Sequence, residues 1–183
     1  GTGSNATDEA LHQTQEAQRL GADACLLVTP YYNRPTQEGL YQHYKKIAAA
    51  TTVPIVLYNV PGRTASNMTA ATTLELAQHH NVCGIKEASG DLGQIGLILS
   101  QRPKDFSVWS GDDALAMPTV SMGAEGVISV MGNAYPAEMS RMIQQAAFGQ
   151  IQEAQHTHQA LMPIMDLLCA EGNPVGVTVA VKH

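Results

Sequence analysis

Positive charge, cysteine and long apolar runs are all scarce in this sequence, and each scarcity removes a class of protein. Among 183 residues there are 10 Lys and Arg against 16 Asp and Glu, a formal net charge of −6. That balance argues against a broad nucleic-acid or membrane-binding surface. Apolar runs reach only about five residues, where a membrane-crossing helix needs roughly 20. No basic segment followed by an apolar run opens the sequence, so no leader is expected. The 3 cysteines, Cys25, Cys83 and Cys169, are odd in number and show no C-x-x-C spacing. They read as buried, reduced thiols of a cytoplasmic protein, neither a disulfide framework nor a zinc site. The 7 histidines are scattered, and His156 and His158 stand two apart on a predicted helix, so they do not share a face. No metal site is expected. Asp112 and Asp113 have no further carboxylate cluster beside them, and Asp113 reads as a helix cap. Neither phosphate-cradling glycine pattern occurs.

What the chain does have is globular composition, with 44% hydrophobic and 14% charged residues. Short apolar, β-branched runs alternate with helical stretches. The runs are 23–29, 53–60, 82–88, 106–112 and 126–131. They are nearly continuous rather than alternating, which is how strands buried on both faces read. Helix starts are signalled by Thr7, Thr36, Thr69, Asp91 and Asp113 as caps and by Pro136 at a first position, and Gly21 signals a stop. The last helix is expected over about 150–170, with Ile151, Ala154, Leu161, Met165 and Leu168 as its apolar stripe and His158 interrupting it. Residues 175–181 alternate valines and read as a strand, because Gly176 weakens a helix. Strand–helix alternation predicts an α/β fold with a parallel sheet. Five runs suit an open sheet by number, since a (β/α)8 barrel needs eight strands and roughly 250 residues.

In either architecture function gathers at the carboxyl ends of the strands. Lys86 ends the third run. An ammonium held out of water loses its proton readily, and a neutral amine attacks a ketone to form a Schiff base. The bland alternative is a surface lysine paired with Glu87. Tyr58 ends the preceding run, one strand–helix unit away, where a phenol relays protons; otherwise it anchors a strand end. Arg63 follows in a Pro-Gly loop, and its guanidinium fork suits a carboxylate. Tyr31 and Tyr32 are adjacent and point opposite ways in extended backbone, one toward a site and one toward a subunit neighbour.

Taken together, the segments VTPYYNRPTQEGLYQHYKKIA, LYNVPGRTA, GIKEASGD, SGDD and GVISV resemble the dihydrodipicolinate synthase family, a pyruvate-dependent class I aldolase group. The resemblance implies a (β/α)8 TIM barrel, which reverses the open-sheet preference. It implies that Lys86 forms a Schiff base with pyruvate, that Tyr58 relays protons, and that Tyr32 is donated across a dimer interface. It further implies that Arg63 receives the carboxylate of aspartate semialdehyde and that Gly111 and Ile128 line the pyruvate pocket. Gly3, Asn5, Glu9 and Tyr31 resemble the family's allosteric lysine-binding residues. No organic cofactor or metal is implied, because the lysine imine is the electron sink. Pyruvate, aspartate semialdehyde, possible inhibition by L-lysine and a homotetramer made of two tight dimers follow from the same likeness.

The family's Gly-Thr-Thr-Gly-Glu segment is absent here, and Gly1-Thr2-Gly3 resembles the end of the third barrel strand. The chain is therefore expected to hold barrel strands 4–8 and the end of strand 3, inactive on its own. Residues 1–149 would be partial barrel and 150–183 the start of a C-terminal helical segment. Two other readings stand beside this one. The first is a sister aldolase such as N-acetylneuraminate lyase or a keto-deoxy-sugar-acid aldolase, disfavoured by Arg63. The second is a non-catalytic barrel fragment.

Overall fold

Where the sequence carries apolar runs, the chain forms parallel strands. The computed structural model describes residues 1–170 and 172–182. The chain divides into two compact units, Gly1–Val108 and the stretch from Trp109 onward. Strand order is chain order, as strand–helix–strand crossovers produce.

The first unit runs α1 (Thr7–Arg19), β1 (Cys25–Val28), α2 (Gln37–Ala49), β2 (Ile55–Asn59), α3 (Pro61–Thr64), α4 (Ala70–Leu76), β3 (Val82–Glu87) and α5 (Leu92–Gln101). β1, β2 and β3 pair in parallel, with Val28 opposite Tyr58 and Tyr58 opposite Lys86. Ile55, Val56 and Leu57 are consecutive and all buried, which explains why β2 does not alternate in sequence. Leu27, Leu57 and Ile85 are buried, as are Leu40, Tyr44, Ile47, Leu76, Ile95 and Ile98 of this unit's helices. The Tyr44 hydroxyl donates to the Leu27 carbonyl at 3.0 Å, so its one polar atom is satisfied. Residues 1–3 lie along β1: the Thr2 N–H donates to the Leu26 carbonyl at 3.0 Å. A Cβ on Gly3 would stand 2.5 Å from the Val28 nitrogen, so only glycine allows this approach.

The second unit contains the end of β4 (Ser107–Ser110), α6 (Ala116–Ser121), β5 (Gly126–Val127), a 3₁₀ turn at Met131–Asn133, α7 (Pro136–Ala147), α8 (Ile151–Cys169) and α9 (Val175–Lys182). β4 and β5 are parallel. Five methionines, Met117, Met131, Met139, Met142 and Met165, join Ala154, Leu161 and Leu168 in its core; unbranched thioethers fill irregular gaps between helices.

Local signals hold in most places. Thr36, Thr69 and Asp91 accept from the backbone N–H groups of Gly39, Thr72 and Gln94. Pro136 occupies the first turn of α7. Gly21 takes φ +83°, and the Gly21 and Ala22 N–H groups bond back to Gln18 and Ala17, closing α1.

Five expectations are corrected. Thr7 does not cap α1; its hydroxyl bonds His43 Nδ1 at 2.9 Å, while the Ser4 hydroxyl accepts from Ala6 N–H and donates to Glu9. Asp113 does not cap α6. Its carboxylate accepts from the Val130 and Met131 N–H groups at 3.1 and 2.7 Å. The 126–131 run is consequently strand only at Gly126–Val127, because those later donors are drawn out of the ladder. Cys25 alone is buried; Cys83 is half-buried and Cys169 exposed, and none of the three is in a disulfide. Residues 175–181 are helix, not strand. Val177 is buried and Ala180, one turn on, packs against the second unit's core. A Cβ on Gly176 would meet the Leu168 carbonyl oxygen at 2.4 Å. The glycine that weakens a helix in isolation is what lets α9 lie against α8. In the α8 stripe Ile151 is more than one-third exposed, and His158 Nε2 bonds the Ala114 carbonyl at 2.8 Å.

Candidate active site

Tyr58 and Lys86 meet because their strands are parallel neighbours in register. Opposed residues on adjacent strands share a face and stand at the same height. The Lys86 Nζ lies 4.4 Å from the centroid of the Tyr58 ring, within reach of a cation–π attraction. Both residues are half-buried. Burial pushes the Tyr58 hydroxyl above the usual phenol range, and the positive charge of Arg63 partly offsets this. The phenol therefore keeps its proton at neutral pH and has one to give.

Arg63 is not in an open loop. It sits in the single-turn helix α3, opened by Pro61 and closed by Ala65 at φ +57°. Its side chain is exposed. α3 is bolted to the strand ends by hydroxyls. Thr29, just beyond β1, donates to Thr64 Oγ1 at 3.3 Å, and the Thr29 N–H bonds the Tyr58 carbonyl at 2.9 Å. Both threonines are buried. Tyr32 has φ +75° and is 88% exposed, so its ring does not converge on Lys86 within its own chain. Its N–H bonds the Thr64 carbonyl at 3.3 Å. Tyr31 is the less exposed of the pair.

The opposite face of the same strand ends carries a feature that pattern reading missed. Glu87 is buried and does not serve as a surface partner for Lys86; adjacent strand residues point to opposite faces. Its carboxylate accepts from Asn59 Nδ2 at 3.2 and 3.1 Å, from the Ser89 N–H at 2.7 Å and from Gln94 Nε2 at 3.2 Å. Asn59 is also buried and accepts from the Met68 N–H at 2.9 Å. Burial pushes the Glu87 carboxyl above the usual carboxylate range, and its donors partly offset the shift. The one available signal was the placement of Asn59 and Glu87 directly after the two candidate residues.

In the second unit Gly111 follows β4 and Ile128 follows β5. The Ile128 N–H donates to the Ser110 carbonyl at 2.9 Å, and the Ser110 hydroxyl donates to the Asp112 carbonyl at 2.8 Å. Both residues thus stand at carboxyl ends of neighbouring strands. In the first unit the Asn5 carbonyl accepts from Asn33 Nδ2 at 3.0 Å, which joins Asn5 to the Tyr31–Tyr32 segment. Glu9 is exposed and accepts from Ser4 and Gln13. Among the described residues no three His, Cys, Asp or Glu side chains gather as a metal site requires, and no helix is long and apolar enough to cross a membrane.

A parallel α/β sheet with a lysine and a tyrosine side by side at neighbouring strand ends defines the class: an α/β protein that brings these two side chains together at the carboxyl edge of its sheet. The chain belongs to the family described as the dihydrodipicolinate synthetase family, which it matches over residues 1–183. It is 50% identical over 182 residues to the 4-hydroxy-tetrahydrodipicolinate synthase of Moorella thermoacetica, covering 100% of this chain and 62% of that protein. The chloride-inhibited dihydrodipicolinate synthase of Acinetobacter baumannii, complexed with pyruvate, superposes with a TM-score of 0.95 at 44% identity over 100% of this chain and 62% of that one. The enzyme of Cyanidioschyzon merolae with lysine bound gives a TM-score of 0.96 at 41% identity, covering 100% of this chain and 62% of its own. The chain thus spans about 62% of the length of the relatives it matches.

Proposed function

We propose that the whole protein is a 4-hydroxy-tetrahydrodipicolinate synthase, a lyase that condenses pyruvate with L-aspartate 4-semialdehyde in lysine biosynthesis. The register pair Tyr58–Lys86, with Nζ 4.4 Å from the ring centroid, carries the reading. The Lys86 amine adds to the keto carbon of pyruvate and water leaves, giving an imine. The protonated imine draws electrons from the neighbouring methyl carbon, which loses a proton and then attacks the aldehyde. The Tyr58 hydroxyl gives and recovers protons through these steps. The aldehyde substrate's own amine then displaces Lys86 from the imine carbon and closes the ring.

The exposed guanidinium of Arg63 receives the carboxylate of the aldehyde substrate. Gly111 and Ile128 line the pyruvate pocket. Tyr32, projecting from a backbone held at φ +75° and 88% exposed, serves the relay of a second copy. The whole protein is accordingly a cytoplasmic homo-oligomer, a dimer of dimers. Residues 1–149 form strands 4–8 and the end of strand 3 of its (β/α)8 barrel wall, and the helical segment begins at 150. L-lysine binds at Gly3, Asn5, Glu9 and Tyr31. The reaction uses no metal or organic cofactor. Relatives of about half-identical sequence with this activity, the neighbour complexed with pyruvate and the neighbour with lysine bound support these assignments.

The test is covalent trapping. The full-length protein is incubated with pyruvate and borohydride, and the mass shift is located by peptide mapping. A reduced adduct on Lys86 is expected. A protein that consumes both substrates with no adduct on Lys86 would overturn the assignment. Preference for a sugar-derived aldehyde over aspartate semialdehyde would overturn the substrate.

A further inference from the structure

We infer that Asn59 and Glu87 form a buried clasp that positions Tyr58 against Lys86, making both of them positioning residues for imine formation. The inference rests on the Schiff-base reading above and concerns groups that the chemistry itself does not use.

The argument is geometric. Asn59 and Glu87 are register partners on β2 and β3, one step beyond Tyr58 and Lys86. Their side chains are 0% and 1% exposed. Apolar packing alone would close this face without desolvating a carboxylate, which is costly. The polar pair has a different property: it is directional. Asn59 Nδ2 donates to both Glu87 oxygens, at 3.2 and 3.1 Å, so sliding β2 along β3 by a fraction of a residue step breaks both bonds.

The clasp is anchored at both ends. On the Asn59 side, Oδ1 accepts from the Met68 N–H at 2.9 Å, which fixes the segment after α3. On the Glu87 side, Ser89 N–H at 2.7 Å and Gln94 Nε2 at 3.2 Å fix the turn after β3 and the first turn of α5. The Ala88 N–H bonds the Asn59 carbonyl at 2.8 Å and ends the ladder there. Beyond this point no strand hydrogen bonds hold β2 against β3. The last ladder step would therefore fray, and Tyr58 and Lys86 lie one residue before it. A shift of about 1 Å in reacting groups costs up to roughly a hundredfold in rate.

The experiment measures the first-order rate of imine formation on Lys86 in the full-length protein by timed borohydride quench, well below the melting temperature of each variant. Glu87→Gln and Asn59→Ala are each expected to slow imine formation about 10- to 100-fold. The KM for the aldehyde should change less than the imine rate, because Arg63 sits on α3, outside the register pairs of β2 and β3. The double variant Asn59→Ala with Glu87→Gln should be no more than about threefold slower than the slower single, the non-additivity of one coupled pair.

Gln94→Ala removes one partly exposed donor and leaves the strands intact. It should slow the rate about threefold, and it carries the test if the buried variants do not fold. Variants that melt lower but form the imine at the wild-type rate, or single effects that multiply in full in the double variant, would overturn the clasp. A wild-type protein that forms no adduct on Lys86 would instead overturn the underlying reading, before any variant is compared.

Discussion

Lys86 Nζ and the Tyr58 ring lie 4.4 Å apart, across two strands whose register places the residues directly opposite each other. The contact uses the ring and the proposed chemistry uses the hydroxyl, so the two are separable. Tyr58→Phe keeps the ring under the ammonium and removes the proton donor. Turnover should fall about 10²- to 10⁴-fold, the usual worth of a positioned acid–base group. Borohydride should still trap pyruvate on Lys86. Steady-state rates and trapping on the same preparation check this, and unchanged turnover would remove Tyr58 from the relay.

Arg63→Ala should act on the second substrate alone. The side chain is exposed on α3 and packs in no core, so melting temperature should hold. Loss of a charge-assisted hydrogen bond raises the KM for the aldehyde about 10- to 100-fold. The KM for pyruvate is expected to stay put; a matching rise there would mean that Arg63 serves the first substrate instead.

Acid should weaken the first unit through His43. This residue is 4% exposed and lies edge-on to Tyr44, with Thr7 bonded to Nδ1. Burial lowers its pKa from 6.5 to about 4. The folded state thus holds the proton more weakly than the unfolded chain does. Stability is complete above pH 6.5, declines as pH falls toward 4, and levels off below. The change is at most about 3 kcal/mol. Glu87, shifted upward, contributes with the opposite sign. The comparison of wild type with His43→Asn, which can keep the Thr7 bond without titrating, isolates the histidine. Parallel stability–pH curves for the two proteins would refute the assignment.

Gly176→Ala should loosen α9. The added Cβ meets the Leu168 carbonyl oxygen at 2.4 Å, a backbone atom that cannot rotate away. Overpacking of this kind costs about 1–3 kcal/mol. Gly62→Ala is the control, because nothing lies within 4 Å of its added Cβ. Thermal melts of both variants and hydrogen exchange over 175–182 read the difference.

Helix caps at Thr36, Thr69 and Asp91 were legible because a cap is satisfied by N–H groups a few residues away. Asp113 and Thr7 carry the same chemistry and were misread. Each found a partner far along the chain, Val130 and Met131 for one and His43 for the other, and no local pattern announces such a competitor. The 175–181 segment failed for a related reason. Its valine alternation is a strand signal, but the faces it presents were decided by α8.

By itself the sequence determined the alternation of buried parallel strands with helices, and the arrival of Tyr58 and Lys86 at successive strand ends, because apolar periodicity and chain direction are local properties. Only the tertiary structure decided that these two stand opposite each other, that Asn59 clasps Glu87 behind them, and that residues 175–182 form a helix. Strand register and long-range hydrogen-bond partners are set by which surfaces exclude water together, and that is a property of the assembled fold.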